Sequence, residues 1–465
     1  MTAPPTSGGG AGPVAASTLV PFRIRLGWGI GSLGLGILFN SYALMLLFYL
    51  TDVVGMKVQV AGMLLTIAKL YNVVCDVPIG MLSDRTRPFR GWGRRRPWML
   101  AGSFLCAAAF IAMFNVPQGA GNATAYVLGS LLFYATAYSM FNVPYMAMPG
   151  EMSDSYHERT AIMSFRVVFI QVGYLIGVGL APRLTRMLGG GMAGYGRVGW
   201  ILGIAAGLAL LASFFGTASA RATTRHATRY TAREQLMSVI GNRPFLLLSL
   251  FKLLTLFSAA TVTATLLYFV KNILRYDPGI MLWYSIGHAG AALLSVPLFW
   301  VPLSNRIGKH RALMVATLGF MLTSLSWLLA GPGEGELVFT LRAFVLGTFA
   351  AGKLLLGMTL LPDIMEYDSL RTGMRREGVF SGAYSLVEKS AFALSPLVLA
   401  LILGMFGYTE SANNVYVEQS GDALFGIYLN IAIVPAICNA LAAIVLLRYD
   451  LTEARLQELR AAASR

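Results

Sequence analysis

The side chains best suited to chemistry in this chain lie in and just before one apolar stretch, YNVVCDVPIG. Lys69, Asn72 and Asp76 are three and four residues apart, so a helix places all three on one face. A charge at the centre of a bilayer costs about 2.5–3.5 kcal/mol, and such a residue is a candidate for function. We therefore predict that Asp76 binds a proton or another cation, with Lys69 as its charge partner. The alternative is a polar cluster that fixes this helix to a neighbour.

Three further charges lie in apolar sequence. Arg166 occurs in TAIMSFRVVF, and its guanidinium could pair with Asp76 or hold a substrate through bidentate hydrogen bonds. A snorkelling role is the alternative for this arginine. Glu388 and Lys389 are adjacent in SLVEKSAF, so on a helix they point about 100° apart and face different neighbours. We expect Lys389 to face a cavity and Glu388 to be a second titratable carboxylate.

Other polar residues in apolar sequence have less specific patterns. Lys252 and Lys353 have no clustered partners, which favours packing or snorkelling roles. Asn40 and Asn142 suit a hydroxylated ligand or a helix–helix contact equally well.

The composition indicates what positions these residues. Of 465 residues, 56% are hydrophobic and 12% are charged, about half the charged fraction of a soluble domain. About 20 apolar residues are needed for a helix to cross a bilayer, and the chain holds twelve such runs. The sequence therefore predicts an all-α integral membrane protein. The runs are residues 24–50, 58–83, 98–116, 124–148, 162–185, 197–220, 244–270, 279–303, 312–330, 337–361, 379–408 and 421–447.

The net charge of +15 comes from basic residues whose distribution is typical of membrane topology. It therefore does not indicate nucleic acid as a partner. Basic residues are concentrated in loops on one side of the predicted membrane. With an even number of spans, the positive-inside bias puts both termini in the cytoplasm. The first basic group comprises Arg85, Arg87, Arg90, Arg94, Arg95 and Arg96. The opposite loops hold Asp52, Glu334, Glu336, Glu410, Glu418 and Asp422, with Arg183, Arg186, Arg197, Lys271 and Arg275 as exceptions.

Composition also divides the chain into segments. Residues 1–22 are rich in Gly, Pro, Ser and Thr and are predicted to be a disordered tail. Residues 23–220 and 244–448 form two six-helix bundles in this prediction. Residues 221–243 form a cytoplasmic linker in this prediction. Its first part has four arginines at intervals of four, which suits an anionic membrane surface or a solvated helix. They are Arg221, Arg225, Arg229 and Arg233. Residues 449–465 are a cytoplasmic tail.

The two predicted bundles share sequence patterns. PIGMLSDR (78–85) leaves the second run and PLFWVPLSNR (297–306) leaves the eighth, and each pattern is followed by basic residues. PYMAMPGEMSD (144–154) and LLPDIMEYD (360–368) leave the fourth and tenth runs. Internal repeats are typical of secondary transporters, whose substrate sites lie at the membrane midplane between the repeats.

A glycine motif in the first apolar run resembles a nucleotide-binding sequence. Gly29, Gly31 and Gly34 match G-x-G-x-x-G, but the dinucleotide fingerprint requires a preceding strand. Here the motif lies inside an apolar run, where small residues allow helices to approach closely. We therefore predict a packing role for it.

Four longer motifs carry a family resemblance: LFYLTDVVGM (47–56), DVPIGMLSDRTRPFRGWGRRRPW (76–98), NVPYMAMPGEMSDSYHERT (142–160) and PDIMEYDSLRTGMRREGVFSGAYSLVEK (362–389). Over residues 23–447 the chain resembles the glycoside–pentoside–hexuronide:cation symporters, the melibiose-permease-like branch of the major facilitators. The resemblance implies the major facilitator fold and symport of a sugar or glycoside with Na⁺, Li⁺ or H⁺. It implies a multi-pass protein of the plasma membrane, the inner membrane of a bacterium, that functions as a monomer without a cofactor.

The resemblance also implies roles for individual residues. The coupling cation would bind at Asp76, with Asn72 and Asn142 at two positions where the family has acids. Arg166 and Lys389 match the family's substrate-binding arginine and lysine. Asn40, Tyr145 and Glu388 complete the predicted substrate-binding set.

Two departures limit what the resemblance implies. The aspartate that binds sugar hydroxyls in the melibiose permease falls at Gly36, so galactoside specificity is not carried over. A single carboxylate can hold a proton but is a poor Na⁺ site, because hard cations take several oxygen ligands. H⁺ is therefore favoured over Na⁺.

The predicted mechanism is alternating access between the two bundles. Protonation of Asp76 would weaken its attraction for Lys69, Arg166 or Lys389 and allow closure around the substrate. A cytoplasmic gate would form in the outward-open state, when the basic residues after the second run pair with the acids after the fourth run. The acids after the tenth run would pair in the same way with the basic residues between the eighth and ninth runs. The predicted gate residues are Asp84, Arg85, Glu151, Asp154, Asp363 and Glu366.

Two other functions remain open from the sequence. Transport of an amphipathic compound or a lysolipid, by uptake or efflux, is the main alternative, since a related branch of the family moves lysolipids. A non-transporting membrane sensor is a remote one. An intramembrane enzyme is not favoured, because the chain has no HExxH motif and no nucleophile–base pair.

Overall fold

The computed structural model describes residues 20–86, 92–117, 122–153, 156–220, 239–372, 376–412, 415–449, 451, 455 and 457–458. Twelve long helices occur in these ranges. They are α1 (Phe22–Val53), α2 (Val58–Arg85), α3 (Arg96–Met113), α4 (Ala123–Met152), α5 (Tyr156–Tyr174, continued by Leu175–Leu180 and Ala181–Met187), α6 (Gly191–Gly216), α7 (Arg243–Leu274), α8 (Pro278–Ile307), α9 (Lys309–Leu329), α10 (Glu336–Thr372), α11 (Glu377–Met405) and α12 (Gly421–Leu447).

These helices confirm the predicted all-α membrane fold. Eleven of the described helices are long and apolar enough to cross a bilayer. The twelfth, α4, has 30 residues, which is also sufficient length. Most predicted runs end within a few residues of the helices. The predicted tail at residues 1–19, most of the linker (221–238) and most of the C-terminal tail lie outside the described residues.

The largest difference from the sequence prediction is at α10. The tenth run was expected to end at residue 361, before a proline, yet the helix continues through Pro362 to Thr372 and has 37 residues. Prolines are tolerated in membrane helices when neighbouring groups satisfy the freed backbone carbonyl. At about 55 Å, α10 is longer than the bilayer core. Asp363 and Glu366 therefore lie on a helix and not in a loop.

Helix packing forms two groups. In the N-terminal half, α1 packs on α5 and α6, α3 packs on α4 and α6, and α2 packs on α4. In the C-terminal half, α7 packs on α11 and α12, α8 packs on α10, and α9 packs on α10 and α12. The halves meet where α2 contacts α11, α5 contacts α8 and α1 contacts α7.

The first helix of each half ends in the same way. Both α1 and α7 finish in a π-helical turn, Tyr49–Val53 in one and Val270–Leu274 in the other. Single π-helical turns are rare and occur frequently at functional sites. Their presence at equivalent positions agrees with the repeated sequence patterns.

We name the two ends of the helix bundle by their loops. The terminal end holds the described residues 20–21, 86, 92–95, 153, 308, 376 and 448–449, of which the first and last groups lie nearest the chain termini. The distal end holds the described residues 54–57, 114–117, 122, 188–190, 275–277, 330–335, 406–412 and 415–420.

The glycine motif on α1 packs against neighbouring helices, as predicted. A Cβ atom added at Gly29 would lie 2.8 Å from Phe165 Cβ on α5. One added at Gly34 would lie 2.8 Å from the carbonyl oxygen of Ala206 on α6. Real Cβ atoms do not approach so closely, so these glycines allow α1 to sit tightly between α5 and α6.

Candidate functional site

Asp76 lies where α2, α4 and α11 meet. The Lys389 ammonium contacts its Oδ2 atom, and the two side chains are 24% and 22% exposed. Ser139 Oγ donates a hydrogen bond of 2.6 Å to Asp76 Oδ1. Asn72 Nδ2 in turn donates to Ser139 Oγ at 2.9 Å and to the Ala135 carbonyl at 3.0 Å. One carboxylate is thus held by both halves of the protein.

Apart from the Lys389 ammonium, the polar groups around Asp76 are the neutral side chains of Ser139 and Asn72. Asn142 is three residues after Ser139 on α4, so the two side chains share a face of the helix. The geometry therefore brings together Asp76, Asn72 and Lys389 and places Asn142 on the adjoining surface. It is an arrangement in which a small cation can compete with an ammonium group for one carboxylate.

Lys69 does not pair with Asp76, contrary to the predicted partnership. Its ammonium lies 4.2 Å from the ring centroid of Tyr42 and 5.2 Å from that of Phe39, both on α1. Rings at such distances stabilise a cation through their negative faces. Of the three cations considered as partners of Asp76, the structure assigns the contact to Lys389.

Glu388 and Lys389 face different neighbours, as their spacing predicted. Glu388 Oε2 accepts a bond of 2.9 Å from Lys252 Nζ on α7, whereas Lys389 faces α2. Lys252 also donates to the Tyr384 carbonyl at 3.0 Å. The expectation that Lys252 has only a packing or snorkelling role is therefore wrong, because its partner is 136 residues away in the chain.

Lys353 is buried inside the C-terminal half. It donates a hydrogen bond of 2.9 Å to Asn439 Oδ1 on α12, and its ammonium lies 3.2 Å from the ring centroid of Phe320. These contacts agree with the predicted packing role.

Arg166 is half-buried on α5 and lies near two phenols of α4. Its charge acts electrostatically on Tyr138 and Tyr145. The Tyr138 phenol also lies within electrostatic reach of Glu388 from the other half. Arg166 therefore belongs to the same central region as the Asp76 pair, although no ion pair joins it to Asp76 among the described residues.

Two predicted substrate-binding residues make hydrogen bonds within or between helices. Asn40 is 9% exposed, and its Nδ2 donates to the Gly36 carbonyl of its own helix at 2.8 Å. Tyr145 is fully buried, with its ring stacked on Trp28 and its hydroxyl 2.5 Å from Ser32 Oγ. Both act as packing groups between α1 and its neighbours. For Asn40, a helix–helix contact was the alternative that the sequence left open, because packing and ligand binding use the same polar side chains.

The predicted gate residues form ion pairs at the terminal end. Glu151 Oε1 accepts from Arg94 at 2.5 Å and from Arg95 at 2.8 Å, and Asp84 pairs with Arg95 at 3.0 Å. All four residues belong to the N-terminal half. Arg85 is exposed at the end of α2.

In the C-terminal half, Asp363 pairs with Lys309 at 3.1 Å. Glu366 lies on the following turn of α10, where its carbonyl accepts a hydrogen bond of 2.8 Å from Ser369 Oγ. Asp154 lies outside the described residues.

One polar cluster was not identified from the sequence. Asp52 is 1% exposed, and its Oδ1 accepts a bond of 2.7 Å from Lys271 on α7. Tyr408 donates to both carboxylate oxygens at 3.0 Å, and Thr51 donates to Oδ2 at 2.9 Å. Ser411 Oγ donates to the Asp52 carbonyl at 2.9 Å. The cluster therefore joins the π-helical turns of α1 and α7 to the loop after α11.

Sequence reasoning placed Asp52 among acidic loop residues and Lys271 among exceptions to the charge pattern. The ion pair could have been predicted from the equivalent positions of its two residues, because each lies at the end of the first helix of its half. A basic residue in the acidic set of loops indicates a local partner.

Comparisons with known proteins identify the family of this chain. A model of the family described as "MFS/sugar transport protein" matches residues 27–453. The chain is 28% identical to "Uncharacterized symporter YnaJ" of Bacillus subtilis over 446 residues, 92% of each chain. It is 27% identical to "Putative 2,3-dihydroxypropane-1-sulfonate exporter" of Escherichia coli over 430 residues, 90% of each chain.

A solved structure shares the fold. The nucleoside transporter NupG superposes with a TM-score of 0.63 at 13% identity, over 92% of this chain and 99% of that one. At this identity the likeness shows the fold alone. The family match covers almost the whole chain, so this protein belongs to the MFS/sugar transport family and is a multi-pass membrane transporter, not an enzyme.

Proposed function

We propose that this chain is a secondary active transporter that couples the movement of a cation to uptake of a sugar, glycoside or similar hydroxylated solute. The observation that carries the proposal is the Asp76–Lys389 contact at the junction of the halves. A cation that binds Asp76 must displace the Lys389 ammonium or share the carboxylate with it. Binding of the cation therefore changes a contact between the two halves.

The coupling step follows from electrostatics. When Asp76 is protonated, its attraction for Lys389 is lost, and the contact that joins α2 to α11 is weakened. Lys389 is then available to hydrogen-bond to a substrate. Linkage makes the effect reciprocal, because a substrate that binds Lys389 also favours the cation on Asp76.

The proposed ion is H⁺. Asp76 is the one carboxylate in its group, and its neighbours Asn72 and Ser139 supply neutral polar atoms. Hard metal cations usually take several oxygen ligands. A proton needs a single carboxylate oxygen and no coordination shell.

The conformation fits one stage of alternating access. The Asp52 cluster holds the halves together at the distal end, whereas the gate pairs at the terminal end join residues of the same half. The positive-inside bias supports a cytoplasmic terminal end. We therefore propose that this is the state closed to the outside, in a monomer of the bacterial inner membrane.

The direction of transport is a separate point. One relative is named as an exporter of a hydroxylated sulfonate, so export is a second candidate. Coupling through Asp76 serves either direction, because the ion gradient sets the direction of net flux.

The test is accumulation in proteoliposomes under separately imposed proton and sodium gradients, with a panel of labelled glycosides and sugar acids. Wild type should accumulate its substrate with the proton gradient. Asp76→Asn should lose accumulation but retain exchange of labelled for unlabelled substrate, because the amide cannot take up the proton.

Asp422→Asn is the matched control, since Asp422 is an exposed aspartate in the first turn of α12. It should accumulate substrate like wild type. Full proton-driven accumulation by Asp76→Asn would show that the coupling site lies elsewhere, and sodium-driven accumulation in wild type would replace H⁺ by Na⁺.

A further inference from the structure

We propose that the pocket around Lys69 is a subsite for an oxyanion group, a carboxylate or a sulfonate, carried by a hydroxylated substrate. The proposal rests on the transport function above and specifies the chemistry of its substrate. It assigns Lys69, Tyr42 and Ser395 as the residues that bind the oxyanion.

The pocket lies between the two halves. Phe39 and Tyr42 of α1 and Lys69 of α2 line it from the N-terminal half. Ala260 and Ala264 of α7, with Phe392 and Ser395 of α11, line it from the C-terminal half. The Phe39 and Phe392 rings meet edge to face across the junction at 5.0 Å. A ligand here contacts both halves, as a substrate that governs their movement must.

Two hydroxyl groups of the pocket have no partner. Tyr42 is 5% exposed and Ser395 is 1% exposed, and neither hydroxyl makes a hydrogen bond within the part of the chain that the structure describes. Buried hydroxyls are nearly always paired, because leaving one unpaired costs free energy. Both can donate, and a carboxylate or sulfonate offers several acceptor oxygens. The unpaired hydroxyls therefore point to a ligand that accepts hydrogen bonds.

The charge of Lys69 is also without a carboxylate among the described residues. Its ammonium contacts only aromatic faces, and it lies close enough to Lys389 for the two charges to repel each other. An anion placed beside Lys69 would relieve this repulsion and would also accept hydrogen bonds from the Tyr42 and Ser395 hydroxyls. A neutral sugar hydroxyl would provide only the hydrogen bonds.

The surrounding charges favour an anion in the same way. Among the residues that the structure describes, four cations of the central region face two carboxylates, Asp76 and Glu388. The cations are Lys69, Lys389, Arg166 and Lys252. The central region thus carries an excess of two positive charges. Protonation of Asp76 raises that excess to three and releases Lys389, so the anionic substrate should bind more tightly to the protonated transporter. The subsite therefore also explains how proton binding and substrate binding reinforce each other.

The test compares ligands that differ only in the anionic group. One pair is 4-nitrophenyl β-D-glucuronide and 4-nitrophenyl β-D-glucoside, and the other is a short polyhydroxy sulfonate and the matching polyol. We expect at least one anion to bind about tenfold or more tightly than its neutral counterpart, the ratio that one charge-assisted hydrogen bond provides. The ligand pair that shows this difference in affinity identifies whether the subsite binds a carboxylate or a sulfonate.

Three variants assign the effect to the pocket. Lys69→Met should remove the preference for the anion, and Lys69→Arg should keep it, because only the charge is essential. Tyr42→Phe should weaken anion binding without lowering the unfolding temperature of the ligand-free protein, because the lost hydroxyl has no partner. A lower unfolding temperature with unchanged binding would mean that Tyr42 is structural.

Controls use residues outside the central region. Lys57→Met removes an exposed lysine at the distal end, and Ser324→Ala removes a buried hydroxyl that bonds to its own helix. Both should keep the wild-type ratio of affinities.

The outcomes separate this inference from the proposed function. Transport of the neutral member of each pair with equal or greater affinity overturns the oxyanion subsite and leaves cation-coupled transport standing. An anion preference that survives in Lys69→Met also overturns the subsite. If neither anion nor neutral ligand binds or is transported under any gradient, both proposals fail.

Discussion

Asp52 at the distal end and Glu151 at the terminal end are both carboxylates that bind basic side chains, yet they join different parts of the molecule. Asp52 binds Lys271, 219 residues further along the chain and in the other half. Glu151 binds Arg94 and Arg95 of its own half. Between described residues, the ion pairs and hydrogen bonds that cross between the halves lie at the distal end or near the centre.

The difference shows which contacts hold this conformation. Asp52 is almost completely enclosed, and Val58 at the start of α2 donates to Glu410 Oε1 of the other half at 2.7 Å. These bonds must break if the distal end opens. The Glu151 pairs need not break when the halves move, because they move with one half as a rigid body. The sequence prediction assigned such pairs within one half to the outward-open state, whereas here they occur while the halves are joined at the distal end.

The largest effect is expected for Asp52→Asn. This change leaves the Lys271 ammonium in a buried site without its counter-charge, which typically costs about 3–5 kcal/mol. This free-energy cost destabilises the conformation in which the distal end is closed, so we expect the distal end to open. Spin labels at the exposed positions Lys57 and Leu337 would report a longer distance, and the unfolding temperature would fall.

Two variants serve as controls for Asp52. Asp52→Asn combined with Lys271→Met removes both charges and should recover much of the lost stability, because a neutral pair has no unmatched charge. Arg186→Gln breaks an exposed pair with Asp277 and should cost less than about 1 kcal/mol. Equal effects of Asp52→Asn and Arg186→Gln would contradict the special role of the buried pair.

The second largest effect is expected from a steric clash between α2 and α11. A Cβ atom added at Gly62 on α2 would lie 2.8 Å from the Pro396 carbonyl oxygen of α11. Gly62→Leu should therefore push α2 and α11 apart, at about 3 kcal/mol, the upper end of typical overpacking costs. The same pair of spin labels should separate. Gly129→Leu is the control, since an added Cβ there meets nothing within 4 Å, and unchanged distances in both variants would show that the contact does not close the distal end.

The smallest effect is expected for Glu151→Gln. It weakens hydrogen bonds to two arginines within one half, and about 1.5 kcal/mol of stability should be lost. The spin-label distance at the distal end should stay the same, because these pairs do not join the halves in this conformation. A shift of that distance would instead show that Glu151 contacts the C-terminal half in the alternative state.

The sequence alone determined the helices and the faces on which their polar residues lie. Apolar runs of sufficient length predicted all twelve spans, since burial of backbone polar groups in lipid requires helices. The spacing of Lys69, Asn72 and Asp76 put them on one side of α2, and the adjacency of Glu388 and Lys389 made them face different helices. Such inferences depend only on helical geometry within one segment.

The tertiary structure decided which of these residues meet. The sequence prediction named Lys69 as the charge partner of Asp76, and the packing of α11 on α2 selected Lys389 instead. Asp52 looked like an exposed loop acid until the close approach of α1 and α7 buried it. Contacts of this kind join residues more than 200 positions apart, so they depend on how whole helices pack, and no local spacing in the chain encodes them.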